Sequence, residues 1–367
     1  MNLETAWLAL LGLLLAGYFV LGGYDYGAQM LHPFLGRDGQ DGQASQDGQA
    51  SQDGHVSHDG HDGHDGHDEK PLRGNAALDA IAPFFLGNEV WLVAFTGVLF
   101  GAFPHLEGTL LSGLYPLIVA ILAGLVLGNA AVQLRGRARG AASRRRWNAL
   151  IVLGGALPAV CWGLVLGLLL HGVPRRADGS FHIGPGEVLT PFVLGCGLTT
   201  ALLFAAHGAA FVALRSGPDV ASRARRSGAL LLRATGAVAC LPLLLTLFGA
   251  GASMNNRGTS AVLAVLFAAA LAGAWWSLAR GYHVRGFAGT SCAAVLPVLL
   301  VGAGHYPYVL TDAAGGGMTI GQAATDGVTL KILTAFGIVL VPVILAYQTW
   351  SWWAFRGRTG RRHPSYF

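Results

Sequence analysis

Stretches of about twenty apolar residues, separated by short polar or basic segments, recur nine times along this chain. Each is long enough for a helix to cross a hydrocarbon core of about 30 Å. The pattern predicts spans near residues 6–27, 78–103, 109–133, 147–171, 188–214, 228–250, 259–279, 286–304 and 328–353. The expected fold class is therefore all-α, a polytopic integral membrane protein forming one helical domain over residues 1–367. The first span follows only five residues and lacks a basic leading segment and a cleavage site, so it reads as a retained helix.

One segment departs from this pattern. Residues 38–68 repeat Asp-Gly-Gln and His-Asp-Gly units and hold no apolar residue beyond Ala44, Ala50 and Val56. Such a composition cannot bury enough surface to offset its ordering entropy, which predicts a disordered cytoplasmic loop between spans 1 and 2. His58, His61, His64 and His67 recur every three residues with Asp between them, a composition that binds divalent transition metals incidentally. A flexible repeat supplies no fixed geometry or outer shell, so the expected role is a solvated linker.

Composition agrees with the periodicity. Hydrophobic residues make up 53% and charged residues 12%, and the mean hydropathy of +0.50 lies outside the soluble globular range. Of the 24 Lys and Arg residues, 19 fall after spans 1, 3, 5 and 7 and in the C-terminal tail. By the positive-inside rule the N-terminus is outside and the C-terminus cytoplasmic, which requires an odd number of spans. The pI near 9.2 then reflects loops beside anionic lipid, and no nucleic-acid partner is expected. Cys161, Cys196, Cys240 and Cys292 form no Cys-x-x-Cys pair and read as small apolar fillers.

Polar residues inside apolar spans carry the candidate chemistry. Glu89 is the only carboxylate between Asp79 and Glu107, and it sits in Gly87-Asn88-Glu89-Val90-Trp91-Leu92. A charged Asp, Lys or Arg at mid-bilayer costs roughly 2.5–3.5 kcal/mol even on lenient insertion scales. Such a group is usually paired, protonated or turned toward a wet interior, which makes Glu89, with Asn88 beside it, a proton-route candidate. Asp25 has two readings, a proton-relay carboxylate or a structural residue bonded to helix ends. His207, among small residues in span 5, is either a hydrogen-bonded core histidine or an interior contact to a proton path or a partner. Trp91, deep in its span, reads as packing, because the aromatic belt lies at the membrane surface. Asp326 and Lys331 are placed so that they can pair at the outer boundary of span 9, and the expected role is structural. The Gly97-x-x-x-Gly101 and Gly124-x-x-x-Gly128 spacings are weak signals of close helix packing. No constellation for nucleophilic catalysis or metal ligation stands out, so neither catalytic residues nor a metal site is expected within the chain.

Taken in order, these segments resemble subunit II of cytochrome bd quinol oxidase. The resemblance runs from Gly23-Tyr24-Asp25-Tyr26-Gly27 through Ala80-Ile81-Ala82-Pro83, Gly87-Asn88-Glu89-Val90-Trp91-Leu92 and Ala102-Phe103-Pro104. It continues in Ser112-Gly113-Leu114-Tyr115, His207-Gly208-Ala209, Tyr306-Pro307-Tyr308, Val341-Pro342-Val343-Ile344-Leu345-Ala346-Tyr347 and Phe355-Arg356-Gly357-Arg358. It covers nearly the whole chain except residues 38–68.

The resemblance implies a haem-free subunit II in the bacterial cytoplasmic membrane. Its partner would be subunit I, which bears haems b and d, oxidises quinol from the membrane pool and reduces dioxygen to water. A small third subunit and a structural quinone or lipid are further implied companions. Subunit II would stabilise the complex and contribute a proton or oxygen route. Asp25 matches the family's carboxylate near the end of span 1, and Trp91 a tryptophan associated with an oxygen route in some members. Leu86 stands where some members have an aspartate of the proton path, with Phe85 where they have tryptophan. Gly22 replaces a frequent acidic residue, and Gly128 and Gln133 replace a basic and acidic pair. A leucine cannot exchange a proton, which leaves Glu89, one turn away, as the substitute. The alternative is a secondary or metal-ion transporter that uses Asp25, Glu89 and His207 as its site, although no internal repeat supports it.

Overall fold

The structure is a computed structural model that describes residues 2–35, 75–137, 140–174, 183–252, 254–312 and 316–357. The histidine-rich segment 38–68, with His58, His61, His64 and His67, lies outside the described residues. Among those described, nine helices are long and apolar enough to cross a membrane.

In chain order the helices are α1 (Leu3–Leu35), the short α2 (Ala76–Ile81), α3 (Phe85–Ala102), α4 (Pro104–Gly113) and α5 (Tyr115–Leu134). After them come α6 (Gly140–His171), the one-turn α7 (Pro185–Val188), α8 (Pro191–Arg215), α9 (Pro218–Leu247), α10 (Arg257–Ala279) and α11 (His283–His305). Strands β1 (Tyr308–Thr311) and β2 (Gly317–Thr319), a turn of helix α12 (Ile320–Ala323) and α13 (Gly327–Ala354) complete the order.

Two expectations change. The expected second span is broken: α2 ends before Ala82-Pro83-Phe84 and α3 begins at Phe85, because Pro83 has no N–H to continue the helical ladder. The start of the third span is likewise cut, with Leu114 separating α4 from α5 ahead of Pro116. Nor is the chain wholly helical. β1 and β2 pair antiparallel, with Tyr308 opposite Thr319 and Thr311 opposite Gly317. The β-branched and aromatic residues of this segment favour a short hairpin.

Several helices outrun their apolar cores. α1 continues to Leu35, α6 begins at Gly140 ahead of Arg144, Arg145 and Arg146, and α9 begins at Pro218 ahead of three arginines. Arginine is a good helix former, so the basic ends stay helical although hydropathy stops counting them.

α1 is the central helix and packs against α3, α6, α8 and α11. α8 buries most of its surface, whereas α13 fully buries only Leu330 and Ser351. Glycines set the closest crossings. At Gly27 an added Cβ would lie 2.7 Å from the backbone nitrogen of Gly208, and at Gly128 one would lie 3.1 Å from Cα of Gly154. The Gly124-x-x-x-Gly128 pair thus marks the contact of α5 with α6, where Gly124 meets Pro158. Gly97 has open space around it, so the same spacing in α3 marks no such contact.

Asp326 takes a structural role as a helix cap rather than through an ion pair with Lys331. Its carboxylate is the N-cap of α13, accepting hydrogen bonds from the Val328 and Thr329 amides at 2.9 and 3.0 Å and from the Thr329 hydroxyl at 2.6 Å. The Thr329 bonds, and then that from Val328, hold the carboxyl below its ordinary range. Local capping geometry wins over a pair with the exposed Lys331 five residues on.

Candidate functional site

The close crossing of α1 and α8 is what buries the motif on α1. Tyr24, Asp25 and Tyr26 are respectively 0%, 4% and 3% exposed. Asp25 stands ten residues before the end of α1, about 15 Å along the axis.

A carboxyl so placed needs donors, and α3 supplies one. Asn88 Nδ2 donates to Tyr24 OH at 2.7 Å, to Asp25 Oδ2 at 2.9 Å and weakly to the Leu21 carbonyl at 3.4 Å. An amide has two hydrogens, so these three acceptors share them. On its other side Asn88 Oδ1 accepts from Gln348 Nε2 of α13 at 3.5 Å, and Gln348 Oε1 accepts from Trp91 Nε1 at 3.2 Å. Asn88 and Trp91, three apart on one face of α3, therefore meet α1 and α13 through a continuous hydrogen-bonded chain.

Glu89 points elsewhere. Adjacent helical residues diverge by about 100°, and Glu89 Oε1 accepts from Asn129 Nδ2 of α5 rather than from the Asn88 cluster. Because α3 starts at Phe85, Glu89 lies in its second turn instead of well inside a span. There the positive end of the helix dipole favours a carboxylate. The Glu89 and Asp25 carboxyls are still close enough to interact electrostatically.

His207 of α8 is fully buried and lies outside that chain. Its Nε2 is 2.9 Å from the Val20 carbonyl and its Nδ1 is 2.7 Å from Thr290 Oγ1. A carbonyl only accepts, so Nε2 carries a proton, while the Thr290 hydroxyl beside Nδ1 also reaches the Phe287 carbonyl at 2.9 Å. The ring stacks on Phe287 at 4.9 Å. Trp91 is 7% exposed, and its ring lies over Gly17.

Sequence reasoning missed Asn129 and Gln348, which the tertiary fold alone brings to Glu89 and Asn88. It also missed a second feature of α1. Asp25, Gln29 and His32 are spaced four and three apart, which places them on one helical face, and all are at most 4% exposed. Each presents one atom without a protein partner: Asp25 Oδ1, Gln29 Oε1 and His32 Nε2. Asn148 of α6 neighbours His32, and its Oδ1 is in the same state. That four-and-three spacing was the legible signal.

Among the described residues no group of three His, Cys, Asp or Glu side chains is placed to hold a metal ion. His207 has both ring nitrogens engaged, which does not fit a haem-iron ligand.

The family described as cytochrome bd terminal oxidase subunit II matches residues 3–355. This chain belongs to that family. Subunit 2 of the cytochrome bd ubiquinol oxidase of Bacillus subtilis (strain 168) is 25% identical over 99% of this chain and 98% of its own. Subunit 2 of the cytochrome bd-I ubiquinol oxidase of Escherichia coli (strain K12) is 24% identical over 97% and 95%. The fold is similar to a chain of the bd oxidase from Geobacillus thermodenitrificans, with a TM-score of 0.64 at 17% identity over 96% of this chain and 98% of that one. As a bd oxidase subunit II, the chain is a multi-pass membrane protein of an oxidoreductase complex, and subunit I is its partner. The transporter alternative yields to this assignment.

Against this family the departures acquire structural reasons. Leu86 is 62% exposed on the outer face of α3. A Cβ on Gly128 would lie 2.7 Å from Gln29 Oε1 and against the Gly154 backbone, so a charged side chain has no room there. At Gly22 a Cβ would meet the Tyr18 ring at 2.9 Å.

Proposed function

We propose that this subunit II carries no haem, stabilises the haem-bearing subunit I and provides a proton route from the cytoplasm through the buried polar face of α1. The observation that carries the reading is that face: Asp25, Gln29 and His32, each with one buried unpartnered polar atom. Buried polar groups in proteins are satisfied by protein or by ordered water, and the gaps of about 6 and 4.5 Å along the helix suit bridging waters. Asp25 is the exchangeable group at the inner end. Glu89, held by Asn129, is the second carboxyl and takes the place left by Leu86. Asn88 positions Asp25, while His207 and Trp91 are assigned to packing, with Trp91 also a member of the hydrogen-bonded chain through Gln348.

In this reading the N-terminus is outside and the C-terminus inside the bacterial cytoplasmic membrane, as the basic loops favour. Subunit I would bear haems b and d and oxidise quinol, since the Bacillus subtilis and Escherichia coli relatives are subunits of ubiquinol oxidases. A small third subunit and a structural quinone or lipid complete the assembly. Substitution in the purified two-subunit oxidase tests the route. Asp25→Asn and Glu89→Gln keep the hydrogen-bonding shape but remove the exchangeable proton. Charge separation and oxygen-consuming turnover are each expected to fall by about a hundredfold, the lower end of the range for loss of a positioned proton-transfer group. Unaltered turnover and charge separation in both variants would sink the proposal.

A further inference from the structure

The hydrogen-bonded chain from α13 to α1 has a direction, and the indole at one end of it sets that direction. An indole nitrogen donates and never accepts. Trp91 Nε1 stands 3.2 Å from Gln348 Oε1, so the Gln348 amide presents its oxygen to the indole and its nitrogen to Asn88. Gln348 Nε2 lies 3.5 Å from Asn88 Oδ1, which turns the Asn88 oxygen away from α1. The Asn88 nitrogen then faces Tyr24 OH at 2.7 Å and Asp25 Oδ2 at 2.9 Å. Each amide has one accepting and one donating end, so it passes on the orientation it receives.

With both amides reversed, Gln348 Nε2 would meet the indole N–H, donor against donor, and a buried N–H would be left unsatisfied. Asn88 Oδ1 would meet Tyr24, whose hydroxyl can donate, and Asp25, whose carboxyl can donate only when protonated. The Leu21 carbonyl, 3.4 Å from Asn88 Nδ2, also favours the observed orientation and competes for the same role.

The surroundings of the two outer members agree with such a function. Gln348 is the only amide side chain of α13 and is half-buried, while Leu345, Tyr347 and Trp350 around it are exposed. A polar side chain in such a helix is unfavourable unless it finds a partner. Trp91 is 7% exposed, and its ring fills the space over Gly17, which fixes the indole.

Few charges act on Asp25. Glu89 reaches it from α3, and Tyr18, Tyr24 and Tyr26 from α1 itself. From α8, His207 and Arg215 approach Tyr24. α6, α11 and α13 meet these tyrosines through Trp162, Phe287 and Trp352, which do not titrate. α2 meets α1 about two turns away, where Asn75 donates to the His32 carbonyl.

We propose that Trp91 and Gln348 are positioning residues for Asp25: they hold the Asn88 N–H toward its carboxyl, so that the carboxylate is hydrogen-bonded and gives up its proton readily. The consequence for turnover rests on the proton-route reading, whereas the orientation of the amide does not.

Infrared difference spectra of the purified two-subunit oxidase provide the test, through the protonated-carboxyl C=O band that Asp25→Asn removes, followed against pH. In Trp91→Phe and Gln348→Leu the Asn88 amide is free to turn, and the proton affinity reported by the band should rise about tenfold, the worth of one hydrogen bond to a charged group. Because the two residues act in series, the double variant should shift the band no further than either single, whereas independent effects add. Thr349→Val, whose hydroxyl bonds only the Leu345 carbonyl at 2.8 Å, should leave the band in place. A band unmoved in either single variant would overturn the proposal and leave the Leu21 carbonyl as what holds the amide. Shifts that add in the double variant, or an equal shift in Thr349→Val, would overturn it as well. Should the band move as expected while Asp25→Asn retains full turnover, the proton-route reading fails and the positioning role stands.

Discussion

Asn88 is 1% exposed and joins three helices through one amide group. Hydrophobicity gives no reason for an asparagine there. The reason is the carboxyl and phenol of α1, which lose their donor without it. Asn88→Leu is expected to destabilise the oxidase subunit by about 1–3 kcal/mol, the cost of leaving a buried polar group unsatisfied. Thermal unfolding of the complex in detergent measures this, and Leu86→Ala, on the exposed side of the same helix, should move the midpoint much less. An unchanged midpoint for Asn88→Leu would mean that water replaces the amide. From sequence, Asn88 was legible as a polar residue in an apolar segment. Its partners were not, because Asp25 lies 63 residues away and Gln348 lies 260.

At the scale of elements, the crossing of α1 with α8 governs the site. There is no hydrophobic drive between helices in lipid, so association depends on close packing and small residues. Gly27 and Gly208 pack so closely that a methyl group on either must displace backbone rather than a flexible side chain. Gly27→Ala and Gly208→Ala should therefore each cost at least about 1–3 kcal/mol of overpacking and open the contact that buries Asp25. Gly12→Ala is the control, since nothing lies within 4 Å of its added Cβ. Assembly yield with subunit I, followed by unfolding of what assembles, separates the three. Equal behaviour would show that the crossing tolerates separation. The failed reading of the second span belongs to this scale too. A hydropathy window sums transfer free energy and does not register that Pro83 lacks an N–H, so α2 and α3 merged into one expected span. It also placed Glu89 too deep, since depth is counted from a helix start that the window missed.

For the whole molecule, nine helices long enough to span a membrane were legible among the described residues, and the family with them. The sidedness argued from 19 of 24 basic residues predicts that the turn between α8 and α9 faces the cytoplasm and the turn between α9 and α10 faces outside. Single cysteines placed at Arg226 and Arg257 in a cysteine-free background should react with an impermeant thiol reagent in opposite membrane orientations. Arg257 should be labelled in intact cells, and Arg226 only after the membrane is opened. The reverse result would invert the proton route, because the α1 face from Asp25 to His32 would then open outward.

The sequence alone determined what is additive and local. The number of spans, the basic asymmetry and the motif that marks the family each depend on residues close together in the chain, since transfer from water to lipid sums over about twenty neighbours. Tertiary structure decided which polar atoms meet: Asn88 with Asp25, Glu89 with Asn129, and His207 with Val20 and Thr290. Hydrogen bonds act over about 3 Å, and the positions of helices relative to one another are set by packing that no single segment encodes.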